Sequence, residues 1–441
     1  MSPPVDSVQS SPSLPSATDV VVIGGGIIGV SAAWWLARRG VSVVLCEKGV
    51  VAGEQSSRNW GWVRKQKRDP REFALIRESL EIWQRLDRDI EQDTGFTQCG
   101  IMYLIDSEDE LARFEDWLEQ ARPYQFGSRL LSPREVEDLV PESGRKWLGG
   151  LYTATDGGAE PSKAAPAIAR AVRRLGGTVM QNCAVRGLET SGGRVSGVVT
   201  EKGRIACSSV ILAGGAWSGL FCRSLGIDLP QLKVVASVMR TTPLDGPTTS
   251  TYGGRFSYRR RQDGGYTVAN GISVTADIVP DTFRHMRQFW PAFRMQRAGL
   301  RLRLGRRFWD ELMQPGRWSL DSPSPFERVR VLDPEPDHDF LTTALSTLQQ
   351  TFPVFSGARM AESWAGMIDA TPDVVPVISP VSSLPGLIVA TGFSGHGFGI
   401  GPGAGRLAAE LATDADPVVD PSPFRLSRFS DGTPIEPYTG V

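Results

Sequence analysis

The stretch Val20-Val21-Val22-Ile23-Gly24-Gly25-Gly26-Ile27-Ile28-Gly29 decides the fold class. A short β-branched apolar run reads as a buried strand, and three glycines end it abruptly. Ile27 to Arg39 then reads as a helix closed by Gly40, and Val41 to Cys46 as a second strand that stops at Glu47. Strand, turn, helix and strand fit within thirty residues, the size of one βαβ unit. The turn matches G-x-G-x-x-G in the context that the motif requires. Gly24 allows the tight bend, Gly26 lets the backbone approach a pyrophosphate, and Gly29 lets the helix sit close on the strand. A pyrophosphate there lies against Ile28 and the free N–H groups of the helix start. Glu47, 18 residues after Gly29, is placed to accept hydrogen bonds from an adenosine ribose. An acid at this point disfavours NADP and leaves NAD and FAD open.

Outward from this unit the chain alternates helices and strands. Glu72 to Asp93 carries Ile76, Leu80, Trp83, Leu86 and Ile90 at helical spacing. Ser107 with Glu110, and Ser132-Pro133-Arg134-Glu135, are helix starts, and Ser162 opens an alanine-rich helix ended by Gly176 and Gly177. Strands are expected at Thr178 to Cys183, Arg194 to Glu201 and Ile205 to Ala213. A second-lobe segment runs from about Leu232 to Ser363, and a final strand, turn and helix from Gly386 to Thr413. The Ser/Pro-rich start, 1–18, reads as a floppy leader without the basic and apolar regions of a secretion signal. The proline-rich tail after Asp414 reads as draped.

Composition removes several function classes. With Lys+Arg 48 against Asp+Glu 49 the net charge is -1, so chain-wide attraction to nucleic acid is excluded. Five cysteines without a CxxC pair indicate neither a disulfide framework nor a zinc ribbon, and fit a reducing, cytoplasmic compartment. Three scattered histidines make no metal cluster. No apolar run approaches the ~20 residues that span a bilayer.

Three further stretches point to a flavin. Gly53-Glu54-Gln55-Ser56-Ser57-Arg58-Asn59 supplies small polar donors where an NAD dehydrogenase usually continues its sheet and a flavin enzyme needs partners for a ribityl chain. Val210 to Ala213 is a strand running into Gly214-Gly215. Gly392 to Gly403 is a second glycine-rich helix start, whose positive end would stabilise charge on a reduced ring.

Together with Trp364-Ala365-Gly366, Thr371-Pro372-Asp373 and Gly395-His396-Gly397, these motifs resemble the FAD-dependent D-amino-acid oxidase superfamily over about 19–429. Within it the chain looks most like the membrane-associated bacterial L-amino acid deaminases, through Ala52 to Arg58, Asn182 to Thr190 and Val199 to Gly203. The resemblance implies an α/β fold: a Rossmann-like FAD-binding domain (19–95, 150–230, 364–415) interleaved with an antiparallel-sheet, α+β substrate domain (96–149, 231–363). A basic and aromatic insertion is expected at 284–330 and the tail at 416–441. FAD is expected on Gly24, Gly26, Ile28, Gly29, Glu47, Lys48, Gln55, Ser56, Ser57, Val185, Gly214, Gly395, His396, Gly397, Phe398, Gly399 and Ile400. It is expected to be non-covalent, because Gly366 stands where sarcosine-oxidase relatives carry the attaching cysteine.

The implied activity is oxidation of the C–N bond of an amino acid or amine to an imine, which water hydrolyses to an oxo acid and ammonia. The alternatives are an O2-using glycine, sarcosine or D-amino acid oxidase, and an FAD-binding electron-transfer subunit. The carboxylate-binding arginines of glycine oxidase and of the deaminases have no counterpart, since Ile368 and the Thr267-Val268-Ala269-Asn270-Gly271 strand occupy those places. Arg64 stands where sarcosine oxidase binds a carboxylate, though it also heads a basic run with Lys65, Lys67 and Arg68. Arg64, Trp62 and Trp364 are therefore the expected substrate-side residues, with Trp60 and Trp62 walling an apolar pocket or filling core, and the imidazole of His396 as easily bystander as participant. Arg284 to Trp309 holds eight arginines interleaved with Phe289, Trp290, Phe293, Phe308 and Trp309 and no acid. If helical, it has the make-up of an interfacial membrane helix. By resemblance the electron acceptor is then the respiratory chain at the inner face of the cell membrane.

Overall fold

The apolar run and glycine turn form the strand Val20–Ile23 and the helix Ile27–Arg38, with Val43–Cys46 as the next strand. The computed structural model describes residues 2–271, 273–297 and 299–438. Val20–Ile23 lies between Val43–Cys46 and Ser209–Leu212, both parallel to it, in a six-stranded sheet. Thr178–Met180 extends one side, and Leu387–Thr391 with the antiparallel Val377–Pro380 the other. Strands buried on both faces need continuous apolar runs, which is what Val20–Ile23, Val43–Cys46 and Leu387–Thr391 supply. The helix Gly397–Ala412 crosses Ile27–Arg38 closely; a Cβ on Gly405 would stand 2.5 Å from that of Ser31.

A ten-stranded, largely antiparallel sheet forms the second lobe. Its long strand Leu232–Thr241 pairs with Met360–Ala370, and its other half carries Ser250–Tyr252, Ile101–Ile105, Gly149–Thr153 and Ser128–Leu131. The expected crossing points at 150 and 364 fall inside strands of this sheet, so the chain changes lobe after Thr153 and after Ala370.

Several expectations are corrected. Ile205 to Ala213 is two strands: Gly203–Ala206 belongs to a three-stranded sheet with Arg194–Thr200 and Val185–Ser191, and Ser209–Leu212 to the six-stranded one. The strand Val185–Ser191 was not anticipated. The start of the chain is not floppy. Asp6 N donates to Ser162 O (3.0 Å), Ser11 N to Val179 O (2.7 Å) and Thr18 N to Ala206 O (2.9 Å), and Val8 is buried. Thr178–Met180 is an edge strand, and this segment covers its unpaired groups. The tail after Asp414 is pinned by Arg428, whose guanidinium meets buried Asp373 at 2.9 and 3.1 Å. The basic stretch is not one helix: Met286–Gln296, the strand Leu300–Arg303 and Arg306–Leu312 follow one another, broken at Gly299 and Gly305. Among the described residues no helix is long and apolar enough to cross a membrane.

Candidate functional site

A cleft of about 1220 Å³, open at its mouth, runs from the first glycine turn to the last one. Gly24 holds φ +109° and a Cβ there would be 2.4 Å from Ala213 O, so the turn is tied to the neighbouring strand end. A Cβ on Gly29 would lie 1.9 Å from Gly24 O, which fixes the helix start against the turn. Ile27 N donates to Ser56 Oγ (2.9 Å), bringing the polar stretch after Glu47 over the helix N-terminus.

The Glu47 carboxylate accepts from Gly25 N (2.6 Å) and Gly49 N (2.7 Å). Burial raises its pKa, opposed by the Lys48 charge and these two N–H groups. Lys48 is clamped by Glu54 (2.8 Å) and the Arg330 carbonyl (2.7 Å), over the ring of Trp217. The donor set suits an adenosine ribose and a pyrophosphate: a fixed carboxylate, a helix N-terminus, and backbone that no side chain obstructs.

The far end is built by Asp369. Its side chain accepts from Gly392 N (2.7 Å) and Thr391 Oγ1 (3.0 Å), and its carbonyl from Ser394 N (2.9 Å). Burial raises the pKa of this carboxyl. The turn it holds has positive φ at Gly392, Ser394 and Gly395 and delivers the chain into the helix Gly397–Ala412, whose positive end meets the cleft. Met367 and Phe393 form apolar walls. Gln55 reaches this end because position 366 is glycine; a Cβ there would stand 2.0 Å from Gln55 Oε1. That buried oxygen has no hydrogen-bond partner within the chain, while the Gln55 residue itself lines the cleft.

Of the expected cofactor residues, Gly24, Gly26, Ile28, Glu47, Lys48, Gln55, Ser56, Val185, Gly214, Gly395, Gly397 and Phe398 line the cleft. Gly29, Ser57, His396, Gly399 and Ile400 do not. Gly29 acts sterically, and Ser57 Oγ turns back to Glu54 O (3.1 Å). Ile400 is core, and Gly399 lets the helix approach Trp62 and Val63 while its carbonyl takes Ser79 and Trp83. His396 faces away, 3.5 Å from Glu72. Sequence reasoning missed Asn59, Met367, Asp369, Phe393 and Phe326 as lining residues. Asn59 and Phe393 lay inside stretches already singled out; the other three carry no local signal.

The expected substrate-side residues do not form the cleft wall. Trp364 is buried against Val238 and Ala269, its indole donating to Arg58 O (3.1 Å), which makes it core. Trp62 packs edge-on to Trp60 and Tyr103. Arg64 is only 9% exposed and its guanidinium lies over Tyr103, so it is not the solvated head of a basic run. With it Lys65, Arg68, Glu72, Asp156 and His396 make a buried charged layer directly behind the turn that ends the cleft. Burial pushes Glu72 up to about 7 and Asp156 up to about 6. His396 is held well below the ordinary histidine range by burial and by the charges of Arg68 and Arg64.

A family model described as FAD dependent oxidoreductase matches residues 19–411. The chain is 26% identical to sarcosine oxidase subunit beta of Rhodobacter capsulatus over 98% of this chain and 93% of that one. Among solved structures it is similar to L-amino acid deaminase from Proteus myxofaciens, in complex with anthranilate, with a TM-score of 0.94 at 33% identity over 98% of this chain and 97% of that one. The L-amino acid deaminase from Proteus vulgaris gives 0.92 at 31%, over 96% and 100%.

Proposed function

The chain belongs to the FAD-dependent oxidoreductase family, acting on amino acids or amines, and from that premise we propose that it is an amino acid deaminase or dehydrogenase with non-covalent FAD. The substrate loses two electrons and two protons across its C–N bond, and water converts the resulting imine to an oxo acid and ammonia. Bound FAD supplies the two-electron acceptor. The chain supplies position and field. Glu47 and the first glycine turn hold the adenosine and pyrophosphate end. Gln55 and the helix start at Gly397 face the other end, and Met367 with Phe393 exclude water there. Arg64 orients the substrate carboxylate.

One observation carries this reading: the N-terminus of the helix Gly397–Ala412 and the turn clamped by Asp369 meet at one end of the cleft, while Glu47 and the first glycine turn stand at the other. Such an arrangement favours negative charge on a reduced flavin ring at the helix start. Non-covalent attachment is supported by the thiols, since Cys46 alone among the cysteines lines the cleft, next to Glu47 at the adenosine end. Anaerobic mixing with amino acids and amines tests the activity: a subset bleaches the flavin and yields an oxo acid, whereas failure of every amino acid and amine refutes it.

The acceptor is proposed to be a membrane-bound electron carrier. Trp290, Leu304, Trp309 and Met313 are 52, 69, 62 and 83% exposed, beside exposed Arg287, Arg294, Arg297 and Arg306. Apolar side chains rimmed by cations suit an anionic lipid surface. Co-sedimentation with anionic vesicles is expected to fall about tenfold when Trp290, Trp309 and Met313 become serine. Equal sedimentation of both proteins, with rapid peroxide formation by the free enzyme, refutes this acceptor and favours an oxidase.

A further inference from the structure

The turn that ends the cleft carries, on its far side, a polar contact that the fold leaves unsatisfied. His396 is the N-cap of the helix Gly397–Ala412; its backbone N donates to Phe393 O (2.7 Å), and its neighbours Gly395 and Gly397 line the cleft. Its imidazole points the other way, with Nδ1 3.5 Å from Oε2 of Glu72. The two residues are 3% and 0% exposed. Among the described residues neither imidazole nitrogen and neither Glu72 oxygen has a hydrogen-bond partner. Glu72 is nonetheless fixed in place. Its backbone N donates to Asp69 O (2.8 Å), and the helix that follows it, Phe73–Ile90, is locked to Gly397–Ala412 by Ser79 and Trp83, which both donate to Gly399 O (2.8 and 2.9 Å).

The charges around this contact come from several elements. On the turn before Phe73–Ile90, Arg71 pairs with Asp69 at 2.6 Å and reaches Asp373 at 3.3 Å. Asp373, from the loop after Met360–Ala370, is also held by Arg428 of the tail at 2.9 Å. Those four groups neutralise one another. Arg64 and Arg68, from the run after Trp62–Val63, favour the ionised form of Glu72, against burial, which favours the neutral one; the outcome is titration at about 7. Asp156, which acts on Arg68 from beside Gly149–Thr153, is pushed up to about 6, and Lys67 is brought down to about 8, both chiefly by burial. His396, held well below the ordinary histidine range, is neutral throughout this span.

Unpartnered polar groups in the interior cost stability, so the contact does not serve the fold. Its position says what it acts on. A helix N-terminus favours negative charge in front of it, and this one faces the end of the cleft where a reduced flavin ring would carry that charge. A carboxylate behind the first residue of the helix opposes that field, whereas a protonated carboxyl leaves it intact. Screening is weak because both groups lie in the interior. We propose that Glu72, set against His396 at the helix start, lowers the reduction potential of FAD in the cleft when it loses its proton. It touches neither cofactor nor substrate and is a positioning residue. By linkage, reduction of the flavin makes Glu72 hold its proton more tightly. The inference rests on FAD occupying the cleft.

The test is the midpoint potential of the bound flavin, measured anaerobically against reference dyes, for the unaltered protein and Glu72→Gln. Two unit charges about 10 Å apart at an effective dielectric constant of about 20 shift an equilibrium by about tenfold, which is about 30 mV for a two-electron couple. The two proteins are expected to share one potential at about pH 5.5; the unaltered protein then falls below the variant through pH 7, by up to about that amount near pH 8.5. Asp156 and Lys67 titrate in both proteins and cancel. Glu72→Met, a second uncharged side chain of similar length, should follow Glu72→Gln, and Glu72→Asp, which keeps a titrating carboxyl, should restore the divergence. Potentials that coincide at every pH overturn the proposal. So does an offset that is the same at every pH, which is what a purely structural role would give. Protein that binds no flavin in its unaltered form refutes the cofactor reading instead.

Discussion

Glu72 offers a sharp test of the charged layer behind the cleft, because its titration has a sign that a surface carboxylate would not give. The carboxyl is fully buried, neither oxygen has a hydrogen-bond partner, and its pKa is raised from 4.5 to about 7. Burial is the largest cause, opposed by the charges of Arg68, Arg64 and Arg71. In the unfolded chain Glu72 ionises near 4.5; in the folded chain it holds its proton to about 7. Between those pH values the folded state binds more protons, so stability falls as pH rises through the window and the loss is complete above it. At about 1.4 kcal/mol for each pH unit, this one group is worth on the order of 3 kcal/mol. Glu72→Gln keeps the shape and removes the titration. The two proteins should melt together near pH 4.5, and the variant should gain steadily towards pH 8, by on the order of 5 °C in Tm. Asp156 and His396 titrate in both proteins, so the difference isolates Glu72. Thermal melts followed by circular dichroism at matched ionic strength give the comparison. Melting curves that stay parallel across the range, or a variant that is uniformly less stable, would refute the picture of an uncompensated buried carboxyl.

Two further outcomes concern the cofactor. Gly29→Ala places a methyl group 1.9 Å from Gly24 O and forces the phosphate turn apart, at a cost of about 1–3 kcal/mol or more; the purified variant should hold far less flavin per chain, and a full complement would remove the turn from FAD binding. Acid precipitation should leave all yellow colour in the supernatant, and flavin retained in the pellet would contradict non-covalent attachment.

The parts of this protein that were legible in its sequence are those whose partners are close in the chain. The unit from Val20 to Glu47 closes on itself: the glycines fit the helix start to the strand, and Glu47 reaches back to Gly25. The helix Gly397–Ala412 and the capping box at Ser132 were equally local. Ile205 to Ala213 misled because the run is apolar throughout, and only pairing with Arg194–Thr200 on one side and Val20–Ile23 on the other reveals that it serves two sheets. Asp369 as the clamp of the last turn was invisible, since it lies 23 residues before its partner Gly392 on a strand of the other lobe.

Arg64 to Arg68 is the instructive case. Four cations in five residues leave Arg64 open between a carboxylate anchor and a solvated surface run, because like charges repel and water is the cheapest remedy. In the fold the run is covered by Tyr103 and Phe114 from the second lobe, by Asp156 beside its paired strand, and by His396 from the last turn, all distant in sequence. The pattern that argues for exposure thus survives burial because distant elements supply the rings and acids that cover it. Repulsion within the run is relieved in part by acids that the fold brings to it, Glu110 acting on Lys67 and Glu72 with Asp156 on Arg68, in place of the water that a surface run would have.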